Sequence, residues 1–193
     1  ISLSFIPRHV YPMSSQMSPH RLIWTAQHYP LNRAARHIAF YDPADEEVEL
    51  IDTCFNTHHL QFGFEDSERL YFSSVGPVVG WLDVEDYEQS GDAQATQGWC
   101  PMIVDTNGDG RITEWVARNG ELDPTKDKEM GGGWYGIVAD PTQDNVVWAA
   151  SGGVPGQIAR LDLGNNPPST CIAEYYQPPF ENPYAPIQGY SPR

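Results

Sequence analysis

A chain of 193 residues that is 40% hydrophobic and 12% aromatic has enough apolar surface for one sizeable core, or two small ones, and is not a disordered tail. Glycine and proline, at 17 each, favour many turns over long helices. Lys and Arg total 11 against 26 Asp and Glu, a formal net charge of -15. That charge argues against nucleic acid and against anionic membrane surfaces, and suits cations, neutral or basic ligands and a soluble exported protein.

Residues 1–20 lack an initiator Met and a signal-peptide pattern, and they read as a lead-in behind an internal or processed boundary. Residues 21–193 repeat short β-rich segments in a fixed order. The first unit has an apolar run around Trp24, then residues 37–43, then residues 47–52, where charged and apolar residues alternate. Period-two alternation marks a strand with one buried face. The second unit opens at His59-Leu60-Gln61-Phe62 and continues through residues 69–74 and 78–83. The third runs through residues 134–138, 145–150 and 157–162 and closes at 173–176; Gly189-Tyr190 stands where a fourth would begin.

About 47 residues separate Trp24 from Tyr71, close to the spacing of propeller blades. From Tyr71 to Trp148 the gap is about 77. The surplus falls on the polar, Gly-rich residues 92–125, read as an insertion on one blade. One small sheet cannot bury both faces alone, so neighbours must stack, and radial stacking leaves only short edges. The expected fold is therefore all-β: a partial β-propeller of four-stranded antiparallel blades. A β-sandwich is the rival, but it gives no reason for the same aromatic at the same place in each unit. Between two and three blades do not close a ring, so the expectation is a fragment of a longer protein or a subunit completed by partner chains.

The segment Asp105-Thr106-Asn107-Gly108-Asp109-Gly110-Arg111-Ile112-Thr113-Glu114 fits D-x-[DN]-x-[DN]-G. Alternate oxygen donors surround a hard cation, Gly110 permits the sharp turn, and the Arg111 carbonyl adds a ligand. The twelfth position is Val116 rather than the bidentate Glu of an EF-hand, and residues 101–104 read as strand. This is the pattern of a calcium loop outside EF-hands, closed by Glu114, Glu121 or Asp123. The bland alternative is a metal-free Asn-Gly and Asp-Gly turn. Calcium is expected to rigidify the insertion.

His58 and His59 precede the first strand of the second unit, which in propellers lines the central channel. Adjacent strand residues point to opposite faces, so only one of the two is expected at the channel mouth, as a base or metal ligand. Tyr135 and Tyr190 hold the matching place in later units, and with Arg193 they are candidates for the same mouth. The alternatives are a histidine hydrogen-bonded to backbone at the blade junction and aromatic packing of the tyrosines between blades. No Gly-x-Ser-x-Gly, Cys-x-x-Cys, His-Glu-x-x-His, Walker or Rossmann pattern is present. No apolar run is long enough for a membrane helix.

Three cysteines permit at most one internal disulfide. Cys100 and Cys171 each fall just before an expected outer strand of consecutive units and form the expected pair in an oxidising compartment, leaving Cys54 free. Three buried thiols are the alternative.

The repeat, with phrases such as Asn145-Val146-Val147-Trp148-Ala149 and Ile38-Ala39-Phe40-Tyr41-Asp42-Pro43, resembles streptogramin (virginiamycin B) lyase-like propellers. The wider likeness is to gluconolactonase-like and NHL-type propellers, and to large exported bacterial proteins of lyase-like or carboxypeptidase-regulatory-like type. It spans residues 21–193 apart from the insertion. The resemblance implies a periplasmic or extracellular location. For the lyases it also implies a divalent cation and a channel-mouth histidine that removes a proton in an elimination. Only His58 or His59 corresponds, and Tyr135 stands where a histidine of the next blade would. Two functions follow as expectations: calcium-stabilised binding of a small molecule or protein partner, or metal-dependent lyase or hydrolase chemistry.

Overall fold

The computed structural model describes residues 9–12, 36–42, 46–64, 68–74, 77–130, 133–152 and 156–176. Among them the secondary structure is almost entirely strand, with one helix. The first sheet is the antiparallel set β1 (His9–Pro12), β2 (His37–Asp42) and β3 (Glu47–Asp52), in that order. The second is a four-stranded meander, β4 (Leu60–Phe62), β5 (Arg69–Ser73), β6 (Val78–Asp83) and β7 (Gln97–Pro101). Helix α1 (Val84–Ser90) bridges β6 to β7 and stops at Gly91, whose φ of 67° ends the helix by bonding its N–H back to the Tyr87 carbonyl.

Three short strands follow: β8 (Ile103–Val104), β9 (Trp115–Val116) and β10 (Asp127–Glu129). A second antiparallel meander then runs β11 (Trp134–Ala139), β12 (Val146–Ser151), β13 (Ile158–Asp162) and β14 (Ile172–Tyr176). The short strands extend its outer edge, because β8 pairs parallel with β14, and β10 lies between β8 and β9.

The sheets stack face to face through two apolar cores. β5 shows why. Its run Leu70-Tyr71-Phe72 is buried throughout, and alternation sends neighbours to opposite faces. Leu70 and Phe72, with Leu82, join Ile38, Phe40, Ile51 and Phe55 from the first sheet's side. Tyr71, Val79 and Trp81 join Val147, Ala149, Leu161 and Ala173 of the last sheet. Each large side chain buried this way contributes about 1.5–3 kcal/mol. Between the two meanders, the closest backbone approaches are those of β11 to β5 and β4. Gly80 leaves room for the buried Phe55 ring, where a Cβ would collide.

Cys100 and Cys171 form a disulfide, with Cα atoms 5.8 Å apart, and Cys54 is free and exposed. The bond ties the outer strand of one meander to the approach to the outer strand of the next.

Three sequence expectations change. The insertion expected over 92–125 contains β7, the fourth strand of the second sheet; its Gly98 and Trp99 looked like loop because the strand carries few β-formers. In β3 the alternation predicts Val48 inward, but Val48 is 63% exposed and Ile51 is buried. Pairing with β2 sets that register, placing Ile51 opposite Ile38 and Glu49 opposite Phe40. Glu49 shares the face of Ile51 but stays exposed, and the Tyr87 hydroxyl donates to it at 2.6 Å. Finally, the strand beside β2 is β1, within the stretch expected to be a lead-in. The run around Trp24 lies outside the described residues.

Candidate ligand pocket and cation loop

Two of the sequence-selected groups are brought into well-defined places. The first is at the start of β4. The His58 amide donates to the Ser73 carbonyl at 3.0 Å, and the Ser73 amide donates to the His59 carbonyl at 2.8 Å. Both histidines sit just ahead of the paired strand, so strict alternation does not apply to them. Their rings meet at 4.4 Å between centroids, and Tyr135 packs on both, 4.7 Å from His58 and 4.5 Å from His59. Of the two histidines, His59 lines the pocket beside the rings.

Tyr135 is turned there by an irregularity. β11 slips register against β12 between Trp134 and Gly136, leaving Tyr135 as the extra residue. Such bulges re-aim a side chain. Ser73 fixes the junction: its hydroxyl donates to the Tyr135 carbonyl at 2.9 Å and accepts from the His59 amide at 3.1 Å. Sequence reasoning passed over Ser73, since a serine at a strand end has no distinguishing pattern.

Beside the three rings lies a partly open pocket of about 480 Å³. Its walls include His59, Leu60, Tyr135, Ile137, Trp148 and Ile158. Burial pushes the His58 imidazole below its ordinary value, so the neutral ring with a free electron pair is favoured near pH 7. Trp148 is oriented by its indole N–H, which donates to Asp140 at 2.9 Å. Tyr190 and Arg193 lie outside the described residues.

The second group is the acidic loop between β8 and β9. Gly108 and Gly110 both take φ of 76°, the left-handed conformation that their sequence positions call for. The Asp105 carboxylate accepts the amides of Gly108 at 2.7 Å, Asp109 at 3.2 Å and Gly110 at 2.8 Å. Asn107 accepts from the Asp109 amide, and Asp109 from the Arg111 amide. The loop is thus wrapped around its own first carboxylate. Glu114 is turned away, 74% exposed and paired with Lys126 at 3.0 Å. Asp123 accepts from the Thr125 amide and hydroxyl. Among the described residues no three His, Cys, Asp or Glu side chains are drawn close enough to enclose a metal ion.

A further carboxylate stands at the foot of the loop. Asp127, the first residue of β10, is 1% exposed. One of its oxygens accepts the Thr113 amide at 3.3 Å, and the other has no hydrogen-bond partner. Burial pushes this carboxyl up, the Thr113 amide opposes that, and the charges of Asp105 and Asp109 push it further up. An acid shielded from water beside two others is a reason for a cation to bind. Hard oxygen donors of this kind suit calcium.

Comparison with protein-family models, curated proteins and solved structures finds no match.

Proposed function

We propose that the chain is a segment of an exported β-propeller that binds a small, largely apolar ligand where its first strands meet, with calcium stabilising the loop at 105–114. The observation that carries the binding reading is the meeting of His59, just ahead of β4, and Tyr135, on β11, on the rim of one pocket, with His58 packed against both rings.

Three features support the blade reading. Two consecutive four-stranded meanders have neighbouring strands in sequence order. They stack through one continuous apolar core. The leading strand β11 of the second meander packs against the first two strands of the first, β5 and β4, as neighbouring blades do. The disulfide and the acidic composition support a periplasmic or extracellular place.

The pocket's mostly hydrocarbon walls favour van der Waals binding of a flat or aromatic group, with His59 and Tyr135 as polar contacts at the rim. A second reading, lyase or hydrolase chemistry, draws on the neutral His58 next to Tyr135, a pair able to take up and return a proton. None of the described pocket-lining residues is acidic, so this reading needs a metal held from elsewhere.

Indole, a neutral aromatic probe, tests the proposal. It should saturably shift the ring resonances of His59, Tyr135 and Trp148, and Tyr135→Ala should abolish the effect while the melting temperature holds. Shifts confined to other residues, or no saturation, would remove the pocket from consideration.

A further inference from the structure

We propose that Asp127 closes a divalent-cation site with Asp105, Asn107 and Asp109, supplying the carboxylate that the loop's twelfth position lacks. The inference deepens the calcium reading of the loop and rests on it. It replaces the expected closing residues with one that lies 22 positions beyond Asp105 and outside the insertion as drawn from sequence.

Topology puts Asp127 there. β8 runs antiparallel to β10 with Val104 opposite Lys128, so continuing the ladder by one pair sets Asp105 opposite Asp127. β9 runs parallel to β10 with Trp115 opposite Asp127. The loop from Asp105 to Glu114 therefore arches over the leading end of β10, and both of its feet stand beside Asp127. Hydrogen bonds close the arch on each side. Thr106 donates its hydroxyl to the Lys126 carbonyl at 2.8 Å, and the Asp127 amide donates to the Glu114 carbonyl at 2.9 Å.

The second observation is the unpartnered oxygen of Asp127. The side chain is almost wholly removed from water, and one carboxylate oxygen meets no donor. A buried acceptor left unpaired is costly, and more so when it carries charge. As they stand, Asp105, Asp109 and Asp127 are not drawn close enough to enclose an ion; a cation in the arch would draw them inward, satisfy that oxygen and offset the repulsion among the three carboxylates. Asp105 and Asp109 can serve at the same time as ligands, because each carboxylate has about four lone-pair directions and the loop amides use only some. Three carboxylates, an amide oxygen and a backbone carbonyl are hard donors of the number and type that calcium takes, with water completing the shell.

Calcium titration by calorimetry on wild type, Asp127→Asn and Glu121→Gln tests this. Wild type and Glu121→Gln should bind one calcium alike, and Asp127→Asn should bind about tenfold more weakly or worse. If Asp127→Asn does not fold, the wild-type protein with ¹³C-labelled aspartate provides the second test: the Asp127 carboxyl resonance should move on calcium addition together with those of Asp105 and Asp109. Binding by wild type with an unmoved Asp127 resonance, or with full affinity in Asp127→Asn, would overturn the role of Asp127 and leave the loop reading standing. No binding by wild type at about 10 mM calcium, above the range of weak extracellular sites, would overturn both.

Discussion

Reducing the Cys100–Cys171 disulfide should destabilise the protein by an amount that the chain itself sets. The bond closes a loop with a sequence separation of 71, and the chain-entropy relation for a loop of that size gives about 4 kcal/mol. That corresponds to a fall of roughly 10 °C in melting temperature for a protein of this length. Both sulfurs are buried in the core between the two meanders. Reduction keeps their volume and removes only the link, whereas alanine at both positions also deletes packing. The double alanine variant should therefore be less stable than the reduced wild type by about 1 kcal/mol more. Thermal melts with and without a phosphine reductant measure the first difference, and urea unfolding measures the second. Thiol counting in denaturant checks the premise: without reductant only Cys54 should react. Three reactive thiols before reduction, or a melting temperature indifferent to reductant, would refute the reasoning.

Other expectations follow from the packing. Arg69 grips Asp83 with two bonds, at 2.6 and 3.1 Å, and reaches Asn145 of the neighbouring meander at 2.5 Å. Arg69→Ala should cost about 2–3 kcal/mol in urea unfolding, and Arg69→Lys should recover less than half, since lysine cannot form the fork. Gly80→Ala would drive a methyl group into the Phe55 ring and should cost about 1–3 kcal/mol by the same assay. Bonds from Thr142 and then from Trp148 hold the Asp140 carboxyl down to about 2, from an ordinary 3.8. A depressed carboxyl contributes stability that is present above its unfolded value and lost as pH falls through the folded one. Wild type should thus lose stability between pH 4 and pH 2 more steeply than Asp140→Asn, as read from urea midpoints.

Much of this was legible in the sequence because it is local. The alternation and aromatic spacing located β5, β6, β11, β12, β13 and β14, and the Asn-Gly and Asp-Gly steps located the loop's left-handed turns. The parts that were not legible depend on partners distant in the chain. Val48 and Ile51 carry equivalent hydrophobicity, and only pairing with β2 decides which faces the core. The register slip that turns Tyr135 onto both histidines requires β12 in place. Asp127 resembles its acidic neighbours until β8 and β9 close around it. The disulfide was accessible because both cysteines fell at corresponding points of successive units. The helix 84–90 was missed, because its 7 residues are too few to show a helical period.

The account rests most heavily on two meanders meeting through β11, β4 and β5. A crystal structure of the protein grown with calcium present measures this directly. It should place β11 against β4 and β5, with the His59 and Tyr135 rings in contact. Sheets lying parallel at a uniform separation of about 10 Å, as in a sandwich, with His59 and Tyr135 out of contact, would contradict it.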